Sequence, residues 1–340
     1  MAKRTEIKEL GEFGLIDRLT EGSKIKKGST VMGVGDDAAV ISSGDKYSLL
    51  TTELMLEGVN FDLVYFPLKH LGYKTAVVGI SDILAMNGTP THLLVSIGVS
   101  SKLSVEQLEE LYSGVKAACE EYGLDLVGGD TSASVNGLVI SVTASGEVAR
   151  EKIVYRSGAR PNDLICITGD LGAAYMGLHL LEREKRAFAG NNNPQPDFKG
   201  YEYLLQRQLK PAARKDVIDS LAEADIVPTS MIDLSDGLAS DLLQICKSSS
   251  CGARIYLDRI PIARETYSMA EELNADPVVA ALNGGDDHEL LFTVPLPVRE
   301  KISRIGGIDI VGHITDNGTG AVLVTPDGSD IRITAPGFKE

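Results

Sequence analysis

Four short acidic turns limit this chain most: Gly35-Asp36-Asp37, Gly128-Gly129-Asp130, Asp233-Leu234-Ser235-Asp236-Gly237 and Gly284-Gly285-Asp286-Asp287. Each presses carboxylates against glycine beside an apolar, strand-like run. Glycine lets the backbone turn where a Cβ would clash. The short Asp side chain places hard oxygens at that turn, the ligands that Mg²⁺ or Ca²⁺ takes. Carboxylates gathered in this way repel one another unless a cation or hydrogen bonds hold them. A single Gly-Asp pair is ordinary turn chemistry. Four of them, together with Asp82, point to convergence on a metal.

The chain has 340 residues, of which 43% are hydrophobic and 24% charged, enough for two domains with separate cores. Its net charge of -15 argues against nucleic acid as a partner, because a polyanion is held by clustered Lys and Arg. Acidity does not exclude phosphorylated small molecules, since metal ions bridge two anionic partners. The charged start Met1–Glu6 does not read as the apolar core of a secretory leader, and no apolar run approaches the roughly 18 residues of a membrane span. The expectation is a cytoplasmic protein without membrane contact. Cys119, Cys166, Cys246 and Cys251 form no C-x-x-C pair and read as buried thiols, and the five histidines lack zinc spacing.

Strand-like and helical patterns alternate, which predicts a mixed α/β and α+β chain. Leu49–Thr52 reads as the end of a strand and Pro67 to Asn87 as a helix that carries Asp82 near its end. Ser104 and Gln107 form a capping box for a second helix, which stops near Gly123. Leu124–Val127 reads as a short buried strand entering the Gly-Gly-Asp turn, and Leu138–Val148 as a strand exposed on one side. The polar stretch at 150–162 is read as a boundary between an N-terminal domain of residues 1–150 and a C-terminal domain of residues 151–340. In the second, Leu164–Thr168, Met231-Ile232 and Leu290–Val294 read as strands, Ala213–Ala224 and Leu238 to about Lys247 as helices, and Arg186–Gly200 as a loop or partly ordered insertion.

Gly33-Val34-Gly35-Asp36-Asp37-Ala38 formally matches a dinucleotide fingerprint, but strand-like Ala39-Val40-Ile41 follows it and its aspartates would repel a pyrophosphate. There is no P-loop, no protein-kinase motif set and no G-x-S-x-G. What remains is rich in carboxylates and hydroxyls, poor in nucleophiles, with Arg156 and Ser235 near acidic turns. That suits phosphoryl transfer, which depends on positioning and charge neutralisation more than on covalent help.

Read in order, further pieces join these turns: Gly11-Glu12-Phe13, Thr51-Thr52-Glu53, Glu57–Phe61, Ser81–Met86, Arg156–Ala159 and Gly284–Leu290. In that order the chain resembles the thiamine-monophosphate kinase family over nearly its whole length. The superfamily also contains aminoimidazole-ribonucleotide synthetase, selenophosphate synthetase and the hydrogenase maturation factor HypE. The resemblance implies an N-terminal sheet domain of the aminoimidazole-ribonucleotide-synthetase type, pairing into a barrel across a homodimer, and a C-terminal α+β domain covering the nucleotide cleft. It implies ATP as co-substrate and thiamine monophosphate as acceptor, with several Mg²⁺ ions held by Asp37, Thr51, Thr52, Glu53, Asp82, Asp130, Asp233 and Asp236. Asp130, Asp233 and Arg156 are the implied catalytic groups. Gly129, Asp130, Arg156, Ser235 and Tyr112 are implied at the nucleotide, and Asn60 and Asp286 at the acceptor.

This sequence departs from the family pattern where the acceptor is bound. Glu53 stands for the usual Asp, Asn60 for His, Asp286 for Glu and His288 for Tyr. There is no Trp in the chain, so Phe338 is the tail residue left to stack on the acceptor's rings. Two other readings stand beside the kinase. One is a nucleotide-binding regulatory protein without turnover, motivated by these substitutions. The other is a sister ATP-dependent synthetase, although the first cysteine is Cys119 and the chain ends in Glu340, against the cysteines that two of those sisters use.

Overall fold

The computed structural model describes residues 5–189 and 198–335. A first sheet takes strands β1 (Thr30–Met32), β2 (Ala39–Ser43), β3 (Lys46–Leu56), β4 (Thr89–Val99), β5 (Asp125–Gly128), β6 (Thr131–Ala133) and β7 (Val139–Ala149), with helices α1 (Ile7–Thr20), α2 (Leu68–Ala85) and α3 (Val105–Tyr122). Its strand order is β1-β2-β3-β7-β4-β5, and β6 pairs with β4. A second sheet takes β8 (Leu164–Thr168), β9 (Ser230–Leu234), β10 (Cys251–Tyr256), β11 (Glu289–Val294), β12 (Ile308–Asp316), β13 (Ala321–Val324) and β14 (Asp330–Arg332). Its order is β14-β13-β10-β12-β8-β11-β9. Helices α4 (Ala173–Ala189), α5 (Glu202–Leu209), α6 (Lys215–Glu223), α7 (Leu238–Ser249), α8 (Arg264–Leu273), α9 (Pro277–Asn283) and α10 (Arg299–Ile302) accompany it. The mixed, two-sheet architecture is the one expected. No helix among the described residues is long and apolar enough to cross a membrane.

Helix α2 is the spine of the molecule. It is apolar nearly all round, as a helix buried between layers must be, and Leu71, Val77, Ile80 and Ile83 have no exposed surface. One apolar cluster joins Val77 and Ile80 to Met231 and Phe292 of the second sheet. The two halves therefore share a core across α2. Helix α3 crosses α2 at a pair of glycines: a Cβ on Gly72 would lie 1.8 Å from the Leu111 carbonyl oxygen, and one on Gly114 1.8 Å from that of Lys69. The backbones touch because neither position has a side chain. Helix α3 starts at the capping box read from the sequence, with Gln107 N donating to Ser104 Oγ at 3.3 Å and Ser104 N donating to Gln107 Oε1 at 2.9 Å. It ends on Gly123 at φ 74°.

Three local expectations change. Strand β3 continues past Thr52 to Leu56, because its pairing with β7 runs unbroken from Lys46 to Leu56. Strand β5 is not buried: it sits at the sheet edge with β4 as its one partner, and Asp125, Val127 and Gly128 are exposed. The segment expected as a loop from Arg186 begins as the last turn of α4, which runs to Ala189. The rest of that expectation falls largely on residues 190–197, outside the described residues, as does Phe338.

The glycine crossing generates a test. Gly114→Ala should destabilise the protein by about 3 kcal/mol in urea unfolding, the scale of overpacking against an unyielding backbone. Gly28→Ala, where an added Cβ meets nothing within 4 Å, should stay within about 0.5 kcal/mol.

Candidate functional site

A cleft of about 2120 Å³ opens between the two sheets, walled by α1, α2, β3, the end of β9 and the turn before β11. A pocket for one small ligand measures roughly 300–1,000 Å³, so this cleft has room for two. Three carboxylates meet at its floor. Asp37 lies just before β2, Asp82 in the last turns of α2 and Asp233 near the end of β9, and ligand atoms of the three lie within 4.8 Å of one another. All three are buried.

Few donors hold them in place. Thr51 Oγ1 donates to Asp82 Oδ2 at 2.5 Å, and Ser81 Oγ donates to Asp233 Oδ2 at 2.8 Å. Arg156 reaches Asp37 Oδ1 through Nε at 3.1 Å and Nη2 at 2.5 Å, while its backbone N–H donates to both oxygens of Asp36 at 3.2 Å. Asp37 Oδ2 is buried and has no hydrogen-bond partner among the described residues. Burial pushes the Asp37 carboxyl up to about 7, against the pull of Arg156 and with the Asp233 carboxylate adding to the rise. Burial and then Asp233 carry Glu53 to about 7, and burial carries Asp36 to about 6. Asp82 is raised well above its ordinary value by burial and by Asp233, Asp37 and Glu53. An acceptor-only cluster under this strain, with one oxygen unpartnered, fits a hard divalent cation.

The Asp-Leu-Ser-Asp-Gly turn is fastened from behind. Asp241, on the first turn of α7, accepts from Gly237 N at 3.1 Å and Asp236 N at 3.3 Å, which leaves Ser235 and Asp236 exposed on the cleft wall. Asn60 and Asp286 also line the cleft. Asn60 Oδ1 accepts from Leu56 N at 2.9 Å. Asp286 is bound by Lys74 of α2, and its Oδ1 lies 3.0 Å from His288 Nε2. Burial alone would raise Asp286, but Lys74 and His288 hold it well below the usual carboxylate range. Burial alone would lower His288, yet the neighbouring Asp233 and Asp286 carry it to about 9. The turn stays sharp because Gly285, Asp286 and His288 all have positive φ, at 69°, 64° and 52°.

Of the residues singled out in the sequence, Asp37, Thr51, Thr52, Glu53, Asn60, Asp82, Arg156, Asp233, Ser235, Asp236 and Asp286 line this cleft. Thr52 does so without its hydroxyl facing Asp82. Adjacent strand residues point to opposite faces, and Thr52 Oγ1 donates to Val142 O at 3.2 Å instead. Gly129, Asp130 and Tyr112 lie elsewhere, in a separate shallow pocket with Val95 and Leu126. The Tyr112 hydroxyl there donates to Val95 O at 3.4 Å. Sequence reasoning missed Lys74, Ser81 and Asp241 as parts of the site. A signal for Lys74 was present, since it is the one charged residue between His70 and Asp82 in an otherwise apolar helix.

Comparison with known proteins adds the following. Residues 35–148 match the family model for the AIR synthase related protein N-terminal domain, and residues 160–328 that for its C-terminal domain. A thiamine-monophosphate kinase of Aquifex aeolicus (strain VF5) is 37% identical over 85% of this chain and 87% of the relative. One of Bacillus subtilis (strain 168) is 31% identical over 97% and 99%. The solved structure of AaThiL complexed with AMPPCP and TMP superposes with a TM-score of 0.83 at 33% identity, covering 97% of each chain.

The crowding of carboxylates has a measurable sign. Each carboxyl raised to 6 or 7 keeps its proton longer when folded than when unfolded, so stability is full below about pH 4 for these groups and falls as pH rises through 6 to 7. Thermal melts in EDTA should give a lower Tm at pH 8 than at pH 5. Mg²⁺ should raise Tm more at pH 8, where the ligands are ionised. An equal shift at both pH values would contradict this account of the cluster.

Proposed function

The chain belongs to the thiamine-monophosphate kinases, within the AIR synthase related family, and on that premise we propose that it transfers the γ-phosphoryl group of ATP to the phosphate of thiamine monophosphate, giving thiamine diphosphate and ADP. The observation that carries the reading is the meeting of Asp37, Asp82 and Asp233 from three distant segments on the floor of a cleft large enough for two ligands.

In this reading an oxygen of the acceptor's phosphate attacks the γ-phosphorus in line, and the bond from that phosphorus to the β–γ bridging oxygen breaks, its electron pair leaving with ADP. No side chain has to remove a proton. The second pKa of a phosphate monoester is about 6, so near neutral pH the nucleophile is already largely ionised. The obstacle is repulsion between two polyanions. Asp37, Thr51, Glu53, Asp82, Asp233 and Asp236 would hold several Mg²⁺ ions in this cleft, with Asp130 joining them only from a second copy of the chain, and the ions would supply the charge neutralisation that lowers it. Thr52, whose hydroxyl donates to Val142 O, drops out of that set. Arg156, fixed against Asp37, keeps that carboxylate in one orientation and presents positive charge to the nucleotide. Ser235, exposed on the cleft wall, contacts the nucleotide, and Asn60 and Asp286 orient the acceptor.

Gly129, Asp130 and Tyr112 stand outside the cleft of the single chain, and a homodimer accounts for them. The face of the first sheet opposite α2 exposes Leu50, Leu54 and Leu94, apolar surface that a second copy would cover. Sedimentation as a monomer at working concentration would remove the dimer.

Incubation with Mg²⁺, ATP and thiamine monophosphate tests the reading by formation of thiamine diphosphate. Asp233→Asn and Asp130→Asn should each lower kcat by about 100-fold or more, the scale of removing one transition-state contact. Asp225→Asn, at a side chain 87% exposed, should leave the rate unchanged. ATP binding without product would favour the regulatory protein.

A further inference from the structure

We propose that Lys74 is a positioning residue for the acceptor, an inference that rests on the kinase reading above: it cancels the charge of Asp286 and fixes its carboxylate, so that an anionic phosphate ester can approach that end of the cleft. Nothing in the sequence assigned Lys74 a role.

The geometry is that of a built support. Lys74 is 1% exposed, although a lysine is almost never fully buried unless its ammonium is paired. Its Nζ donates to Gln208 O at 3.0 Å and to Asp286 Oδ2, and lies 5.7 Å from the centre of the Phe66 ring. With its amide oriented to satisfy its neighbours, Gln208 donates to the same Asp286 oxygen at 3.1 Å. The other oxygen of Asp286 faces His288. The carboxylate is thus held by donors on both oxygens while its side chain stays 37% exposed to the cleft.

Placement explains why a cation is needed there. Lys74 stands two turns before Asp82 on the same helix, which puts it about 12 Å along the axis from the carboxylate cluster. Lys74, Val78 and Asp82, spaced four residues apart, all line the cleft. One end of that stripe gathers carboxylates and the other presents Asp286 with Lys74 behind it, while His288 stands between, 3.0 Å from Asp286 Oδ1 and 3.9 Å from Asp233 Oδ2. A bare carboxylate at the second end would repel an incoming phosphate ester. Held by Lys74 from behind and by His288 at its other oxygen, Asp286 keeps its remaining lone pairs for donors on the acceptor molecule without adding net negative charge. Lys74 touches neither substrate in this arrangement and acts through Asp286.

The test compares kinetics with thiamine monophosphate and with ATP. Lys74→Met should raise the KM for thiamine monophosphate about 10- to 100-fold, the range typical when an outer partner of a site ligand is removed. The KM for ATP should stay within about twofold of wild type, since Lys74 bonds Gln208 and Asp286 and reaches the carboxylate cluster only indirectly, through Asp286 and His288. Lys74→Gln keeps a donor to Gln208 O but not the charge. It should show the same split, and it decides the matter if the Met variant does not fold. Adding Asp286→Asn to either Lys74 variant should largely remove the extra effect of losing Lys74, because an amide needs no cancelling charge. An unchanged KM for thiamine monophosphate in Lys74→Gln, an equal rise for both substrates, or full additivity with Asp286→Asn overturns the inference and leaves the kinase reading standing. A wild-type protein that binds ATP and forms no thiamine diphosphate removes the reading itself, and this inference with it.

Discussion

Three mutually repelling carboxylates are kept in contact by two sheets that could relieve the repulsion by moving apart. Asp37 and Asp82 belong to the first half of the chain and Asp233 to the second, so every approach of the halves brings negative charge together. What opposes separation is the shared apolar core across α2, where Val77 and Ile80 join Met231 and Phe292. Non-directional burial supplies the closing force, and specific donors such as Ser81 and Arg156 set the final spacing. The elevated carboxyl groups record their burial first and, for Asp37, Glu53 and Asp82, the neighbouring negative charge second. A divalent ion bound among them would complement the fold by relieving that repulsion.

Helix α2 links these demands because its residues serve different masters by turn. Its apolar positions belong to the core, its glycine at 72 admits the α3 backbone, and the stripe of Lys74, Val78 and Asp82 faces the cleft. Behind the turn that carries Asp286, a second buried charge network does the holding. Arg207 Nη1 and Arg214 Nη1 each donate to Glu289 at 2.7 Å, and Gly172 N donates to Asp287 at 2.9 Å. Successive residues there alternate between support and site: Asp287 and Glu289 face the arginines and the Gly172 amide, while Asp286 and His288 face the cleft.

Much of this was legible in the sequence, for identifiable reasons. The Ser104–Gln107 capping box and the Gly123 stop are local chemistry, and the structure places them where the pattern puts them. The acidic turns could be read as a group because Asp and Gly at strand ends carry both a backbone requirement and a charge. Residues whose meaning is tertiary were not legible. Ser81 and Asp241 look like ordinary helix residues until Asp233 and the Gly237 amide arrive beside them. Thr51 and Thr52 are indistinguishable as neighbours in a string, yet the pleat sends only the first hydroxyl to Asp82. Burial of β5 failed as an expectation because four residues cannot say whether a strand will lie at an edge.

The pleat of β3 also bears on how this protein can change over generations. Thr51, whose hydroxyl reaches Asp82, shares one face of the ribbon with Glu53, while Leu50, Thr52 and Leu54 take the other. Point substitutions can tune either side alone. Loss or gain of a single codon in that ribbon would exchange the two sides at once, handing leucines to the cleft and acids to the outer surface. Length variation among descendants should therefore collect in connections such as 134–138, between β6 and β7, and spare the ribbon.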